Sequence, residues 1–438
     1  MTNKYYQGRD VYVVAGTRTP FLKAKGKPGP FSAADLAVAA GKKLFENLPI
    51  EPNQVDETVF GCMMPSPDEA NIGRVIGYRL GCGKKVPGFT VQRNCASGMQ
   101  ALDEGLKDIA LGRHDIVLAG GVDAMSHAPL IYNRQATNWF AEMAACKTAP
   151  QRIAHLLKWR PQMFFNPVIS LLRGLTDPMV CLGMGQTAEK VAHQFNITRR
   201  EMDEFSVTSH QRVAAGMDAG YFKEEIAVAY DKNGNVYETD DGVRRDSTVE
   251  KLGTLKPFFD KKFGLVTAAN SSQITDGAAA LILASGDAVK KYNLPVMGRI
   301  LDVNWAGLDP SVMGLGPVHA TTPMLMRNNL TFDDIDFMEL NEAFATQVLG
   351  CLKAWESKEF CEKEFGLSAA FGSFDRARLN VDGGAVALGH PVGASGARIV
   401  MHLLRVLRRN NAKLGVATIC IGGGLGGAML LENVDHVI

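Results

Sequence analysis

Two cysteines and one histidine sit in settings that could do chemistry. Cys95 lies in Arg93-Asn94-Cys95-Ala96-Ser97-Gly98, between a strand-like run (89–92) and a helix starting near Ala96 to Gly98. At a helix N-terminus, free N–H groups and the macrodipole favour a thiolate, which makes Cys95 a candidate nucleophile. A buried structural cysteine at a strand end is the competing reading. His390 stands in Gly389-His390-Pro391-Val392-Gly393-Ala394-Ser395-Gly396, with Gly383 and Gly384 upstream. Glycines shape the backbone tightly around one imidazole, a setting for a base of fixed direction. A loop histidine bonded to a turn is the alternative. Cys420 ends a strand-like run (415–421) and precedes Gly422-Gly423-Gly424-Leu425-Gly426-Gly427.

Gly422, Gly424 and Gly427 satisfy G-x-G-x-x-G, but the dinucleotide reading fails. That fingerprint must open a helix, with an acidic residue some 20 positions on. Here strand-like Ala428-Met429-Leu430-Leu431 follows and the chain soon stops. The glycines instead suit close approach of backbone to a ligand, with N–H groups free to hold an oxyanion. Asn341-Glu342-Ala343-Phe344-Ala345 follows a strand-like run and reads as the start of a helix, where Asn341 could be an N-cap and Glu342 a first-turn charge.

These residues must be positioned by alternating elements. Runs 11–15, 116–119, 281–284 and 415–421 read as buried strands, and 33–44, 98–111, 200–215 and 394–407 as amphipathic helices. Alternation predicts α/β layering with a mainly parallel sheet. An internal echo accompanies it. Ser97-Gly98 opens a helix leading to a strand closed by Gly120-Gly121, and Ser395-Gly396 opens one leading to a strand closed by Gly422-Gly423-Gly424. A duplicated core would look like this. Residues 125–263 break the alternation and read as an excursion from the first half.

With 438 residues the chain is too long for one ordinary core, so two or three domains are expected. Net charge of +1 offers no case for nucleic-acid binding. The eight cysteines include no C-x-x-C pair, which favours free thiols in a reducing compartment over a disulfide frame. No run approaches the length of a membrane span, and the N-terminal residues lack a secretory pattern.

Taken together the motifs resemble the thiolase family. The resemblance runs in family order through Arg18-Thr19-Pro20, Asn94-Cys95-Ala96-Ser97-Gly98, Gly120-Gly121, Asn270-Ser271-Ser272, Asp276-Gly277-Ala278, Asn341-Glu342-Ala343-Phe344, the His390 block and Cys420-Ile421-Gly422-Gly423-Gly424. It implies two similar α/β halves in five layers with a mostly helical loop domain. The halves are expected over 1–124 with 264–290 and over 291–438, and the CoA-binding loop domain over 125–263. The resemblance further implies an acyltransferase that cleaves a 3-oxoacyl-CoA with CoA in two half-reactions. In it Cys95 is acylated, His390 is the base, and Cys420 exchanges a proton with the acetyl-CoA α-carbon. Asn341 orients a water in one oxyanion hole, and the backbone N–H groups of Cys95 and Gly422 form the other. Ser272 and Phe344 resemble pantetheine contacts, and Arg244 a contact nearer the adenine. CoA enters as co-substrate, with no metal or resident cofactor required.

Two departures bear on the branch. Short-chain biosynthetic members carry a histidine before the Met-Gly of the loop domain; here Gly183 precedes Met184-Gly185. That favours a roomier acyl site and a degradative role in fatty-acid β-oxidation. Segments 144–175 and 361–379 look like insertions, similar to those in β-subunits of bacterial trifunctional oxidation complexes. The implied partners are a second copy in a homodimer core and an α-subunit, carrying enoyl-CoA hydratase and 3-hydroxyacyl-CoA dehydrogenase, in an α2β2 complex. The implied location is the cytoplasm. Basic and aromatic residues interleaved in 144–175 fit an interfacial or partner-facing helix, with packing on the protein's own loop domain as the alternative. A condensing synthase of the same fold is disfavoured by Cys420. A biosynthetic acetoacetyl-CoA thiolase and a non-catalytic acyl-CoA scaffold are the remaining alternatives.

Overall fold

The computed structural model describes residues 8–434. Nine principal strands carry the fold: β1 (Val11–Arg18), β2 (Glu57–Gly61), β3 (Gly88–Val91), β4 (Ile116–Ala124), β5 (Thr275–Ser285), β6 (Gly298–Gly307), β7 (Phe337–Leu340), β8 (Leu414–Ile421) and β9 (Leu425–Glu432). They form one path in the order β7-β8-β9-β6-β1-β5-β4-β2-β3.

The path is two copies of one pattern. In the first half β1 is antiparallel to β5, β5 antiparallel to β4, and β4 parallel to β2, which is parallel to β3. In the second half β6 is antiparallel to β9, β9 antiparallel to β8, and β8 parallel to β7. A parallel bridge from Met338 to Leu379 stands where β3 stands in the first half. The halves meet edge to edge through the short pairing of Tyr12 and Val13 with Arg299 and Gly298. The sheet is therefore mixed, not mainly parallel. Each half closes on an antiparallel pair, because the chain leaves β8 through a glycine turn straight into β9. In the first half the matching turn is opened to hold residues 125–274.

Small residues set how closely the layers approach. Along β5, Ala278, Ala280, Ile282 and Ala284 pack into the outer cluster with helix Ala33–Glu46, while Ala279, Leu281 and Leu283 face the inner one. A strand buried on both faces reads as a continuous apolar run rather than an alternation. The inner cluster holds helices Ser97–Ala110 and Val392–Arg409, one from each half. A further cluster under Gly316–Arg327 and Ala345–Glu356 covers the second half's outer face. Helix, sheet, helix pair, sheet and helix make the five layers.

Two expected details differ. Gly120 and Gly121 do not close their strand; they lie inside β4, fully buried. A methyl group on Gly121 or Gly98 would overlap the Gly393 carbonyl, so this crossing of the inner helices over β4 requires glycine. The segment 144–175 is not one helix but three short ones, Ala149–Leu156, Pro161–Phe165 and Ser170–Gly174, with Val168–Ile169 paired to Leu130–Ile131. It packs partly on the preceding helix Arg134–Ala145, since buried His155 lies against Trp139, ring centroids 5.2 Å apart, and its Nε2 meets the Trp139 carbonyl at 2.9 Å. Leu157, Phe165 and Leu172 remain exposed beside it. Among the described residues, no helix is long and apolar enough to cross a membrane.

Candidate active site

The site forms where the two halves' loops converge above the inner helices. Each inner helix begins just after a candidate catalytic residue. Cys95 precedes the N-cap Ala96 of Ser97–Ala110, and His390 precedes the N-cap Pro391 of Val392–Arg409. Asn94 holds φ 44°, a left-handed conformation that Asn tolerates. Its Nδ2 donates to the Gly422 carbonyl at 2.7 Å, which ties the Cys95 loop to the turn after Cys420. That turn needs its glycines, because Gly423 and Gly424 hold φ 94° and 73°.

The tautomer of His390 follows from its partners. Ser395 Oγ donates to the Pro391 carbonyl (3.1 Å), so it accepts the Nδ1–H of His390 at 2.6 Å. The proton then sits on Nδ1, and Nε2 presents a lone pair. Nε2 is buried without a partner among the described residues. The main-chain N–H of His390 donates to the Gln273 carbonyl at 3.1 Å. Burial, with Arg398 adding to it, holds the imidazole pKa down to about 4. His390 is thus a neutral base at pH 7.

The thiols behave in the opposite sense. Cys95 is half-buried, and burial pushes its thiol up, against the lowering effect of the Gly422 and Cys95 N–H groups. The thiolate expected from the helix terminus is therefore not the resting form, because desolvation outweighs the helix end; an adjacent base has to take the proton. Cys420 is fully buried, and its thiol is pushed well above the ordinary range by burial and then by the nearby Cys95. It rests as a protonated acid.

Asn341 was expected to begin a helix. Instead it extends β7, donating its N–H to the Thr418 carbonyl at 2.9 Å, and the helix starts at Ala345. Both polar atoms of its fully buried side chain lack a partner among the described residues. A buried unsatisfied amide beside a reactive centre is a ligand-ready feature. Phe344, Met184 and Cys420 share one apolar cluster, and Met184 Sδ would lie 3.4 Å from a methyl group on Gly422. Ser272 donates its N–H to the Ala343 carbonyl at 2.9 Å, which docks its loop on the same cluster. Arg244 stands apart: its main-chain N–H donates to His210 Nδ1 at 3.1 Å, and no hydrogen bond of its guanidinium is found among the described residues.

Three supporting residues escaped the sequence reading. Ser395 was visible in the glycine block, but only the fold shows that it bonds the imidazole. Glu342 is no first-turn charge. It is buried, accepting from Ser209 Oγ (2.6 Å), Asn380 Nδ2 (2.9 Å) and the Val386 N–H (3.2 Å), and so fixes the approach to His390. Asp123 is fully buried and accepts the N–H groups of Met64 (2.9 Å), Met63 (3.3 Å) and Gly393 (2.5 Å). An acid among glycines in β4 gave no signal beyond its type.

Comparison with known proteins bears on the family and the fold. Residues 11–287 match the N-terminal domain model of thiolase, and 294–433 match the C-terminal one. The chain is 36% identical to the human mitochondrial 3-ketoacyl-CoA thiolase, covering 97% of this chain and 98% of the relative. It is 37% identical to the β-ketoadipyl-CoA thiolase of Pseudomonas putida, covering 97% of this chain and all of that one. The crystal structure of the human enzyme in complex with CoA superposes with a TM-score of 0.83, over 97% of this chain and 98% of that one. A Bacillus anthracis acetyl-CoA acetyltransferase gives the same TM-score at 33% identity, over 98% of this chain and all of that one. With two domain models spanning nearly the whole chain over a duplicated five-layer fold, this protein belongs to the thiolase family of acyltransferases.

Proposed function

We propose that the protein is a 3-ketoacyl-CoA thiolase of fatty-acid β-oxidation. The observation that carries this reading is the geometry of the site: a buried His390 whose Nε2 lone pair is without a partner among the described residues, set before the N-cap of one inner helix as Cys95 is before the other, with the protonated Cys420 near Cys95. His390 takes the Cys95 proton, and the sulfur attacks the 3-oxo carbon. Cleavage of the carbon–carbon bond leaves an enolate on the departing acetyl-CoA, and its oxygen meets the hole served by Asn341 and His390. Cys420 gives its proton to the α-carbon. The acyl group stays on Cys95 as a thioester whose carbonyl oxygen faces the N–H groups of Cys95 and Gly422; CoA gives its proton to the Cys420 thiolate and attacks that carbonyl, the oxyanion forms in the same hole, and the departing Cys95 sulfur takes its proton back from His390.

Ser272, Phe344 and Met184 line the pantetheine path, and Arg244 serves the nucleotide end. The working unit is a homodimer of units divided at 1–124 with 264–290, 125–263 and 291–438. We further propose a cytoplasmic α2β2 complex with an α-subunit carrying the hydratase and dehydrogenase. Segment 144–175, with its exposed apolar side chains and nearby Arg152, Lys158 and Arg160, is its docking or membrane-facing surface. Relatives named for β-ketoadipyl-CoA are equally similar, so the decisive assay offers CoA with straight-chain 3-oxoacyl-CoAs of graded length, acetoacetyl-CoA and a 3-oxo-dicarboxylyl-CoA. Ping-pong thiolysis of the longer monocarboxylic substrates, with acyl label on Cys95 and none in Cys95→Ser, is expected. A preference for the dicarboxylate or acetoacetyl-CoA would overturn the substrate, and label on Cys420 would overturn the roles.

A further inference from the structure

The duplication lets each catalytic position be asked what stands in its counterpart. The parallel ladders give the register: Gly61 pairs with Gly121 in the first half, and Leu340 with Thr418 in the second. One residue beyond Leu340 is Asn341, and one beyond Gly61 is Cys62. Two beyond Thr418 is Cys420, and two beyond Gly121 is Asp123. Cys95 and His390 correspond in the same way, each preceding the N-cap of an inner helix. So the second half supplies Asn341, Cys420 and His390, while the first supplies Cys95 together with Cys62 and Asp123.

That first-half pair is built to hold, not to react. The Cys62 Sγ–H donates to Asp123 Oδ1 at 3.4 Å, and Oδ1 also accepts the Met64 N–H at 2.9 Å. Oδ2 accepts the Met63 N–H at 3.3 Å and the Gly393 N–H at 2.5 Å. Gly393 belongs to the first turn of the helix that follows His390, where a carboxylate meets unpaired N–H groups and the positive end of the macrodipole. The Gly393 carbonyl, on the same residue, is the group wedged against Gly98 and Gly121. Gly98 lies in the first turn of the helix that follows Cys95. One carboxylate therefore grips the crossing point of the two helices that carry nucleophile and base.

We propose that Asp123 is a positioning residue of the thiolase reaction: through the Gly393 N–H it fixes the crossing of the two inner helices, and with it the placement of His390 against Cys95. The proposal rests on the roles given to Cys95 and His390 above. Burial raises the Asp123 pKa to about 6, opposed by the N–H groups of Met64, Gly393 and Met63 and by the Cys62 thiol that it accepts.

The test uses Asp123→Asn in the full-length protein, with Asp123→Ser as a second variant that leaves one acceptor and turns no amide donors on the clamped N–H groups. Four quantities are measured: kcat and KM for thiolysis, the rate of Cys95 alkylation by iodoacetamide across pH, and thermal stability. We expect kcat to fall by about 10–100-fold with KM within about twofold, and alkylation near neutral pH to slow in parallel, in protein that melts cooperatively. A purely structural group would change melting while leaving kcat and the alkylation profile of the folded protein as in the parent; that result overturns the proposal. Failure of both variants to fold also overturns it, since Asp123 would then hold the fold rather than the catalytic geometry. If Cys95 is not acylated in the parent, the underlying assignment of roles has failed instead, and the two failures are told apart in the unmodified protein.

Discussion

Ser395→Ala isolates the orientation of the base. In the parent protein Ser395 Oγ accepts the Nδ1–H of His390 at 2.6 Å and donates its O–H to the Pro391 carbonyl. Removing the hydroxyl leaves that carbonyl served, because it also accepts the N–H groups of Ala394 (2.9 Å) and Ser395 (3.0 Å). The loss is thus confined to the imidazole. A buried N–H left without an acceptor costs about 1–3 kcal/mol. The ring can escape that cost by moving its proton to Nε2, but Nε2 is the atom that must accept from Cys95. Either way the competent form is penalised by a similar amount, and each 1.4 kcal/mol is about tenfold in rate. We expect kcat for thiolysis to fall about 10–100-fold, with KM changed less than about threefold, and iodoacetamide alkylation of Cys95 to slow in step. The pairing of both effects is the signature, since acylation and alkylation share only the proton transfer. A kcat within twofold of the parent would show that some other group orients His390.

Other outcomes follow from the same geometry. Cys420→Ala is expected to acylate slowly from a simple acyl-CoA yet lose α-proton exchange in acetyl-CoA, by about 10²–10⁴ in the carbon–carbon step; deuterium exchange at the parental rate would remove Cys420 from the role of acid. Deleting 144–175 should leave cleavage of a short 3-oxoacyl-CoA largely intact while weakening α-subunit or anionic-vesicle association, the latter in a salt-dependent way. If co-purification and vesicle flotation persist and the loop domain unfolds, the segment is packing alone. His402 lies buried between Glu225 (3.0 Å) and Asp382 (3.2 Å), and its pKa is raised to about 9, burial being outweighed by these acids. A raised folded pKa stabilises fully below the ordinary value of 6.5 and is lost as pH rises through about 9. Melting temperature should therefore decline between pH 7 and pH 9.5 in the parent, and less steeply in His402→Gln; equal slopes would assign the decline to other groups.

The sequence marked the candidate residues more readily than it showed how the strands are arranged. Cys95, His390 and Cys420 were each marked by what surrounds them: a strand-to-helix junction, a glycine-crowded loop and a glycine turn. The strand after Gly427 was legible enough to dismiss a dinucleotide site, and β9 follows there. Strand direction was not legible, because an apolar run such as Leu281-Ile282-Leu283 looks the same in either sense, and pairing partners lie more than a hundred residues apart. Asn341 read as a helix cap because Asn before a helix is the commoner pattern; its N–H is captured by Thr418, a contact no local pattern encodes. The thiolate expected at Cys95 failed for a related reason. Helix ends can be read from sequence, but the depth of burial that outweighs them cannot.

The place of β5 has a consequence for synthesis on the ribosome. It lies between β1 and β4, yet it is made after the whole excursion from Met125 to Ile274. Until then the first half owns two unjoined pieces, β1 alone and the β4-β2-β3 trio, with bare hydrogen-bonding edges facing each other across a missing strand. Such edges invite mispairing. The second half has no such wait, since β8 and β9 are neighbours in the chain as in the sheet. An emerging chain must shield the open slot while the excursion is being produced, and insertion of an alanine-rich strand with few bulky side chains is a mild step in steric terms. The half that carries Cys95 is therefore the half whose assembly is delayed, and the half that carries His390 closes behind it.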